Sequence, residues 1–151
     1  MKKYSFLVVF ISLIISNLSF SQNRKSDEII GKWLTENGEA KVEIFKVGEK
    51  YYGKIIWLKD PYDKETGNPK TDKHNPDPKL KSRPILGLII VSGFIFDGSS
   101  QWEDGTIYDA KSGKTYNCYI NFESNNKIKV RGYIGKSWMG LGRTTYWSRT
   151  N

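Results

Sequence analysis

The sequence has 151 residues and a formal net charge of +8, with 24 lysines and arginines against 16 acidic residues. It contains one cysteine and one histidine, which excludes an internal disulfide and leaves a zinc site of nitrogen and sulfur ligands without enough donors. The length fits one domain with a single hydrophobic core.

The start of the chain has the three-part layout of a secretory signal peptide. Two lysines precede an apolar run, and Ser19 and Ser21 place small residues before a cleavage site. The run is too short for a membrane span, which needs ~18 or more apolar residues. We therefore expect a signal peptide over residues 1–21 and cleavage near Ser21. Residues 22–151 would then be exported to the periplasm or out of the cell, with no transmembrane span left after processing.

Apolar and polar residues alternate with a period of two through most of the remaining chain, which predicts β-strands. Three strands are predicted over residues 29–35, 40–47 and 51–58. Asn37-Gly38, between the first two, is typical of a hairpin turn. These strands begin an antiparallel meander.

A polar segment without periodicity extends over residues 59–82 and precedes the most apolar run of the chain. All five prolines lie between Pro61 and Pro84, and each proline fixes φ and removes a backbone donor. Loops of this length are uncommon unless they are functional. We therefore expect a stiff strap that crosses or borders the mouth of the fold.

Five further strands are predicted over residues 85–96, 106–109, 114–122, 128–134 and 143–149. In the third of these, Cys118 falls on the apolar face, which favours a core position over a reactive thiol. No long helix is predicted, so the fold class is all-β. About eight antiparallel strands close into a single up-and-down barrel, whose interior is filled by side chains or holds one small ligand. A β-sandwich is the alternative architecture.

Gly31-Lys32-Trp33 near the first strand and Arg149 near the last resemble a pairing found in lipocalins and their calycin relatives. The resemblance implies that Arg149 crosses the Trp33 ring and closes one end of the barrel. A cation on an aromatic face contributes ~0.5 to 2 kcal/mol. Gly31, Trp33 and Arg149 are therefore expected to serve barrel closure and not ligand recognition.

An ordered set of short motifs from about residue 29 to the end of the chain resembles the bacterial family catalogued as domain of unknown function 2147. The motifs are Gly31-Lys32-Trp33, Gly53-Lys54-Ile55, Asn75-Pro76-Asp77-Pro78, Arg83-Pro84-Ile85-Leu86-Gly87, Gly105-Thr106-Ile107-Tyr108-Asp109, Ser112-Gly113-Lys114-Thr115-Tyr116, Arg131-Gly132-Tyr133-Ile134-Gly135 and Trp147-Ser148-Arg149. The resemblance implies an exported bacterial protein with a lipocalin-like barrel. It implies no particular activity.

The polar residues give little support to an enzyme. His74, the only histidine, lies in the proline-rich segment, where a catalytic triad lacks its partners. Glu103 and Asp104 are neighbours that point to opposite faces of an extended strand. Only Asp109, with another partner, could therefore form the facing carboxylate pair of a glycoside hydrolase. We expect no catalytic residues, and a carboxylate-dependent hydrolase is the remaining enzyme alternative.

The strap contains oxygen ligands that calcium accepts. They are Asp60, Asp63, Asn68, Asp72, Asn75 and Asp77. Their spacing does not match an EF-hand loop, and capping of turns by Asp and Asn explains them more simply. We expect no bound metal and no cofactor.

Six residues are candidates for ligand binding: Arg83, Tyr108, Tyr116, Arg131, Tyr133 and Trp138. Arginines bind a carboxylate or phosphate bidentately, and tyrosines supply hydroxyl groups and apolar walls. Trp138 lies in a glycine-flanked loop suited to gating the mouth or to touching a partner or membrane. The alternatives are surface ion pairs for the arginines and ordinary packing for the aromatic residues. The phase of the strand leaves the direction of Arg131 open.

We therefore expect an exported carrier or sensor of a small amphipathic molecule in the barrel, in particular an anionic, fatty-acid-like one. The alternative is an envelope interaction module with a filled barrel, which binds protein or polysaccharide through its loops. The basic charge suits peripheral contact with an anionic membrane or with envelope polysaccharide, although dispersed lysines also simply maintain solubility. Export makes nucleic acid an unsuitable partner.

Overall fold

The computed structural model describes residues 24–151, so the signal peptide predicted over residues 1–21 lies outside the described residues. Eight strands form one closed antiparallel barrel, in which each strand pairs with the next and the last pairs with the first. They are β1 (Gly31–Leu34), β2 (Ala40–Val47), β3 (Lys50–Leu58), β4 (Ile89–Phe96), β5 (Gln101–Asp109), β6 (Lys114–Ser124), β7 (Lys127–Tyr133) and β8 (Gly142–Thr150). The predicted up-and-down barrel is confirmed, and the sandwich alternative is wrong.

Short 3-10 helices accompany the barrel in the described part of the chain. They are Ser26–Ile29 before β1, Pro78–Leu80 between β3 and β4, and Ser137–Met139 between β7 and β8. None of the helices found within residues 24–151 has the length and apolar character needed to cross a membrane.

β5 begins at Gln101, whereas the sequence predicted this strand only over residues 106–109. The register of β5 against β6 shifts between Trp102 and Gly105, and Asp104 has a φ of 58°. A β-bulge therefore interrupts the alternation of side chains on which the prediction relied.

β4 begins at Ile89, whereas the sequence predicted this strand from residue 85. The residues before it bond differently, because the Ile85 N–H donates to the Lys70 carbonyl at 3.0 Å and the Gly87 N–H donates to the Ile55 carbonyl at 2.7 Å. These residues extend the strap, which in the structure comprises residues 59–88 between β3 and β4. They bring the chain back beside β3, at Ile55.

Alternation along the strands places one row of apolar side chains inside the barrel. In β7, for example, Ile128 and Val130 are buried. Lys129 and Arg131, which alternate with them along the strand, are only partly buried. Thirteen buried residues form one core cluster that includes Trp33, Trp102 and Trp147. Burial of these large apolar side chains is the main force that stabilises the barrel, at ~25 cal/mol per Å².

One end of the barrel is closed by Arg149 and Trp33. The guanidinium carbon lies 4.2 Å from the centroid of the Trp33 ring, and Arg149 donates to the Glu28 carbonyl at 2.7 Å and to the Ile30 carbonyl at 3.2 Å. Gly31 has a φ of +141°, and a Cβ at this position would lie 2.8 Å from Nη1 of Arg149. A side chain at residue 31 would therefore displace the arginine.

The 3-10 helix Ser26–Ile29 covers the same end. Its carbonyl groups accept hydrogen bonds from two core indoles, Trp33 Nε1 to Ile29 at 2.9 Å and Trp102 Nε1 to Ser26 at 3.0 Å. The Tyr51 hydroxyl donates to Asp27 at 2.7 Å. These bonds satisfy the polar atoms of the buried aromatic residues and fix the cover in place.

The opposite end of the barrel is the mouth. Four connections surround it: the β1–β2 turn (35–39), the strap (59–88), the β5–β6 turn (110–113) and the β7–β8 loop (134–141). The proline-rich segment is thus placed at the mouth. The candidate site is built from these connections.

Candidate functional site

The lower and middle parts of the barrel are filled by side chains. The Trp102 ring packs against Phe96, Phe122 and Tyr51, with ring centroids 4.8, 5.6 and 6.4 Å apart. Higher up, a Cβ at Gly105 would overlap the Phe94 ring, so this glycine gives Phe94 the space that it occupies. In these parts of the barrel, aromatic side chains occupy the space in which a hollow barrel would hold a ligand.

A cavity of about 710 Å³ lies instead at the mouth, between the strap and the rim of the barrel. Its apolar lining consists of Leu58, Pro69, Ile85 and Ala110. Its charged lining consists of Glu39, Asp60, Asp63, Glu65, Lys70, Lys73 and Lys111, and the remaining polar lining consists of Thr66, Asn68, Thr71 and His74. We call this space the mouth cleft. It combines an apolar surface with carboxylates and ammonium groups.

Charges in the mouth cleft are partly paired. Lys111 Nζ lies 2.5 Å from Glu39 Oε2, and Lys73 Nζ lies 3.8 Å from Asp63 Oδ2. The hydrogen bond from Lys111 lowers the pKa of Glu39 below its ordinary value. Hydrogen bonds from the backbone of Glu65 and Thr66 lower the pKa of Asp63. Both carboxylates are therefore ionised at neutral pH, and the cleft presents both signs of charge.

The strap is anchored to the barrel by Asp72, which is fully buried. One carboxylate oxygen accepts hydrogen bonds from Arg83 Nε at 2.9 Å and from Asn75 Nδ2 at 2.8 Å, and it lies 2.9 Å from Arg83 Nη2 in an ion pair. The other accepts from the Tyr108 hydroxyl of β5 at 2.6 Å. Burial raises the pKa of Asp72, but the hydrogen bonds from Tyr108, Asn75 and Arg83 outweigh burial and hold the pKa below its ordinary value. The carboxylate thus stays ionised and fixes the strap to β5.

A second anchor is the close approach of the strap to the β5–β6 turn. Gly113 has a φ of +71°, and a Cβ at this position would overlap the carbonyl oxygen of His74. A left-handed backbone favours glycine, and here the missing side chain also lets the strap rest directly on the turn. The two anchors, at Asp72 and His74, fix this part of the strap, which forms a wall of the mouth cleft.

All six ligand-binding candidates fall within the described residues, and the structure places them in three different regions. None of the six lines the mouth cleft. Arg83 and Tyr108 meet at Asp72, where the guanidinium carbon also lies 5.7 Å from the tyrosine ring centroid. Tyr116 lies on the inner face of the barrel near the mouth. Its Cβ is 3.6 Å from the position that a Cβ would take at Gly132. Arg83 and Tyr108 therefore position the strap.

The other three candidates lie outside the barrel. Arg131 faces outward and donates to Thr144 Oγ1 and to the Gly140 carbonyl, both at 3.1 Å. Tyr133 lies beside Tyr119 on the same face, with ring centroids 6.1 Å apart, and burial raises the pKa of its hydroxyl. Trp138 is 79% exposed in the β7–β8 loop. These residues belong to an outer surface.

Sequence reasoning missed Glu39 and Lys111, although it identified the strap that faces them. The two residues are separated by 72 positions, and each looks like an ordinary charged turn residue. Closure of the barrel alone brings the two turns together, so no local pattern could have shown the pair.

Two other reactive groups of the described residues, the Asp109 carboxylate and the Cys118 thiol, have structural roles. Asp109, the remaining hydrolase candidate, accepts from the Ser112 hydroxyl at 2.7 Å and from the Lys111 N–H at 3.0 Å within its own turn. Burial raises the pKa of the Cys118 thiol to about 12. Within residues 24–151, no three histidine, cysteine or acidic side chains lie together in a way that could hold a metal ion.

Comparisons with known proteins agree with this architecture. The family model described as "Uncharacterized protein conserved in bacteria (DUF2147)" matches residues 31–149, which confirms the resemblance. A solved structure, protein HP1028 from Helicobacter pylori, described as belonging to the lipocalin family, is 28% identical in sequence. The alignment covers 81% of this chain and 82% of that one, with a TM-score of 0.68. The comparison with curated proteins gives no match.

Proposed function

The chain belongs to the bacterial family described as uncharacterized protein conserved in bacteria (DUF2147), and we propose that it binds a small amphipathic molecule in the mouth cleft. The lipocalin-like barrel is consistent with small-ligand binding in general, since barrels of this size and type hold one small molecule. The mouth cleft is the observation that carries the proposal. Its volume of about 710 Å³ falls within the ~300 to 1,000 Å³ of ordinary ligand pockets.

The lining of the mouth cleft indicates the chemistry of the ligand. Leu58, Ile85 and Ala110 offer an apolar surface, and carboxylates and ammonium groups also line the cleft. A molecule with a compact apolar part and either both signs of charge or several hydroxyl groups would satisfy these groups. A fatty-acid-like anion, as expected from the sequence, would instead need to lie along this apolar surface, because the barrel below it is filled.

We also propose that the protein acts after export, in the periplasm or outside the cell. The layout of residues 1–21 supports this. Fractionation of bacteria that express the chain, with determination of the new N-terminus by mass spectrometry, tests it. We expect an N-terminus at Gln22 in an exported fraction, and a cytoplasmic chain that retains Met1 would contradict the proposal.

Native mass spectrometry of the purified protein, followed by organic extraction, tests ligand binding. We expect one small molecule per chain that is lost in Ala110→Trp, because the larger side chain occupies the mouth cleft. Thr115→Trp is the matched control, since Thr115 is exposed on β6 and outside the cleft. A protein that retains and rebinds nothing from an extract of its own cells would contradict the proposal. Equal binding by both variants would place the ligand elsewhere.

A second candidate function is an envelope interaction module. The filled barrel favours it, because a packed interior leaves the loops as the binding surface. In this case the wild type would carry no small molecule but would bind an envelope polysaccharide or protein. Loop variants would abolish that binding, whereas Ala110→Trp would not.

A further inference from the structure

We propose that the β7–β8 loop, residues 134–141, docks the mouth of the barrel on an anionic lipid surface. This inference goes beyond ligand binding and does not depend on the mouth cleft. It rests on the exposure, the fixed shape and the charge of the loop.

The loop exposes four large apolar side chains. Ile134 is 60% exposed, Trp138 79%, Met139 48% and Leu141 58%. Three of the other four tryptophans are almost wholly buried, at 0%, 0% and 3% exposure for Trp33, Trp102 and Trp147. Four exposed large apolar side chains within one eight-residue loop indicate an interaction surface. Tryptophan in particular is favoured at the boundary between water and lipid.

Hydrogen bonds hold the backbone of the loop in a defined shape against the end of the barrel. The Ile134 N–H donates to the Leu141 carbonyl at 2.9 Å and closes the base of the loop. Asn117 Nδ2 donates to the Gly135 carbonyl at 3.3 Å, and Arg131 Nη2 donates to the Gly140 carbonyl at 3.1 Å. The backbone that carries the apolar side chains is therefore already ordered before docking, which lowers the entropic cost of binding.

The charge around the loop matches an anionic surface. From residue 131 to residue 143, the loop and the strand ends that carry it, the sequence contains three basic residues, Arg131, Lys136 and Arg143, and no acidic residue. Lys136 and Arg143 are exposed and flank the apolar side chains directly. Lysine and arginine near an anionic membrane attract phospholipid head groups, while a neutral bilayer gains nothing from them. The apolar tip and the flanking cations together fit insertion into a surface rich in anionic lipid.

Sedimentation with lipid vesicles tests the inference, with processed protein whose N-terminus mass spectrometry places after Ser21. We expect sedimentation with vesicles that contain phosphatidylglycerol and not with pure phosphatidylcholine. Trp138→Ser should weaken binding about tenfold or more, and Lys136→Gln about fivefold. Trp57→Ser is the matched control. Trp57 is 41% exposed on β3, away from the loop, so its loss should leave binding unchanged.

Three results would overturn the inference. They are absence of binding to phosphatidylglycerol vesicles, equal binding by Trp138→Ser and Trp57→Ser, and a loop-dependent dimer in solution without vesicle binding. The last result would assign the loop to a second copy of the chain. Unfolding curves of the variants establish that each is folded. Ligand retention by Ala110→Trp without lipid is measured separately, so failure of lipid docking and failure of ligand binding are distinguishable.

Discussion

Lys111 and Glu39 form an ion pair across the mouth of the barrel, with Nζ and Oε2 2.5 Å apart. Lys111 belongs to the β5–β6 turn and Glu39 to the β1–β2 turn, and these turns lie on opposite sides of a barrel with this strand order. Both residues also line the mouth cleft. The pair therefore bridges the opening above the proposed ligand.

Removal of this bridge should change ligand exchange more than stability. An exposed ion pair contributes ~0 to 1 kcal/mol, so Lys111→Gln should unfold at nearly the wild-type denaturant concentration. Association and dissociation of the extracted ligand, followed by stopped-flow fluorescence, should both become faster. High salt should bring the wild type towards the variant, because salt screens the pair. Lys114→Gln, an exposed lysine outside the cleft, is the control, and unchanged exchange rates in Lys111→Gln would argue against a bridge.

Loss of the Asp72 carboxylate should destabilise the protein strongly. The Asp72 carboxylate is fully buried and accepts three hydrogen bonds, and its ion-pair partner Arg83 is partly exposed. We expect Asp72→Asn to lower the free energy of unfolding by about 2 to 4 kcal/mol, since Arg83 loses its charged partner. Denaturant unfolding measures this. Asp60→Asn, an exposed acid of the same strap, should cost much less, and equal costs would show that Asp72 is no anchor.

Stability should fall in acid, in part through Asp72. Its folded pKa is depressed, so its contribution is present above the unfolded pKa and is lost as pH falls through the folded value. With an unfolded pKa of ~3.9, the loss occurs below about pH 4. The stability of Asp72→Asn should therefore depend less on pH than that of the wild type in this range. Parallel pH dependence of the two proteins would contradict the assignment.

Gly113→Ala should displace the strap. The substitution adds strain at a φ of +71° and an overlap with the His74 carbonyl oxygen. Gly48→Ala is the matched control, because Gly48 has a φ of +60° and open space around its Cβ. Backbone strain alone costs ~1 kcal/mol, so thermal unfolding should show a larger loss for Gly113→Ala. Equal losses would mean that the strap moves aside freely.

Arg149→Met should weaken the closed end of the barrel. It removes two hydrogen bonds to the carbonyls of Glu28 and Ile30 and the stacking on Trp33. We expect a loss of about 2 to 4 kcal/mol from these contacts together, with partial recovery in Arg149→Lys. Chemical denaturation followed by Trp fluorescence measures it. A loss below that of a surface substitution such as Lys127→Met would contradict the closing role.

The barrel could be predicted from the sequence because most strands keep their alternation. Ile128 and Val130 of β7, and Cys118 and Ile120 of β6, are buried on the face that the pattern indicated. The first half of β5 was missed because the bulge at Asp104 breaks the period. Apolar periodicity reports burial, and it fails where the backbone itself departs from a regular strand.

The site was less accessible to prediction, because its contacts join distant parts of the chain. Asp72 and Tyr108 are 36 positions apart, and only the return of β5 to the mouth brings the hydroxyl to the carboxylate. Proline content located the strap, since it reflects local stiffness. The pairing of the strap with the rim depends on barrel closure, which residue types alone do not encode.

Chemical-shift mapping tests the location of the ligand most directly. The amide resonances of the labelled protein are followed while the molecule extracted from it is added back. Binding at the mouth predicts shifts at Leu58, Ile85 and Ala110, with little change at Cys118 and Val130 in the core. Shifts centred on the core strands, with the strap unaffected, would contradict a ligand site at the mouth.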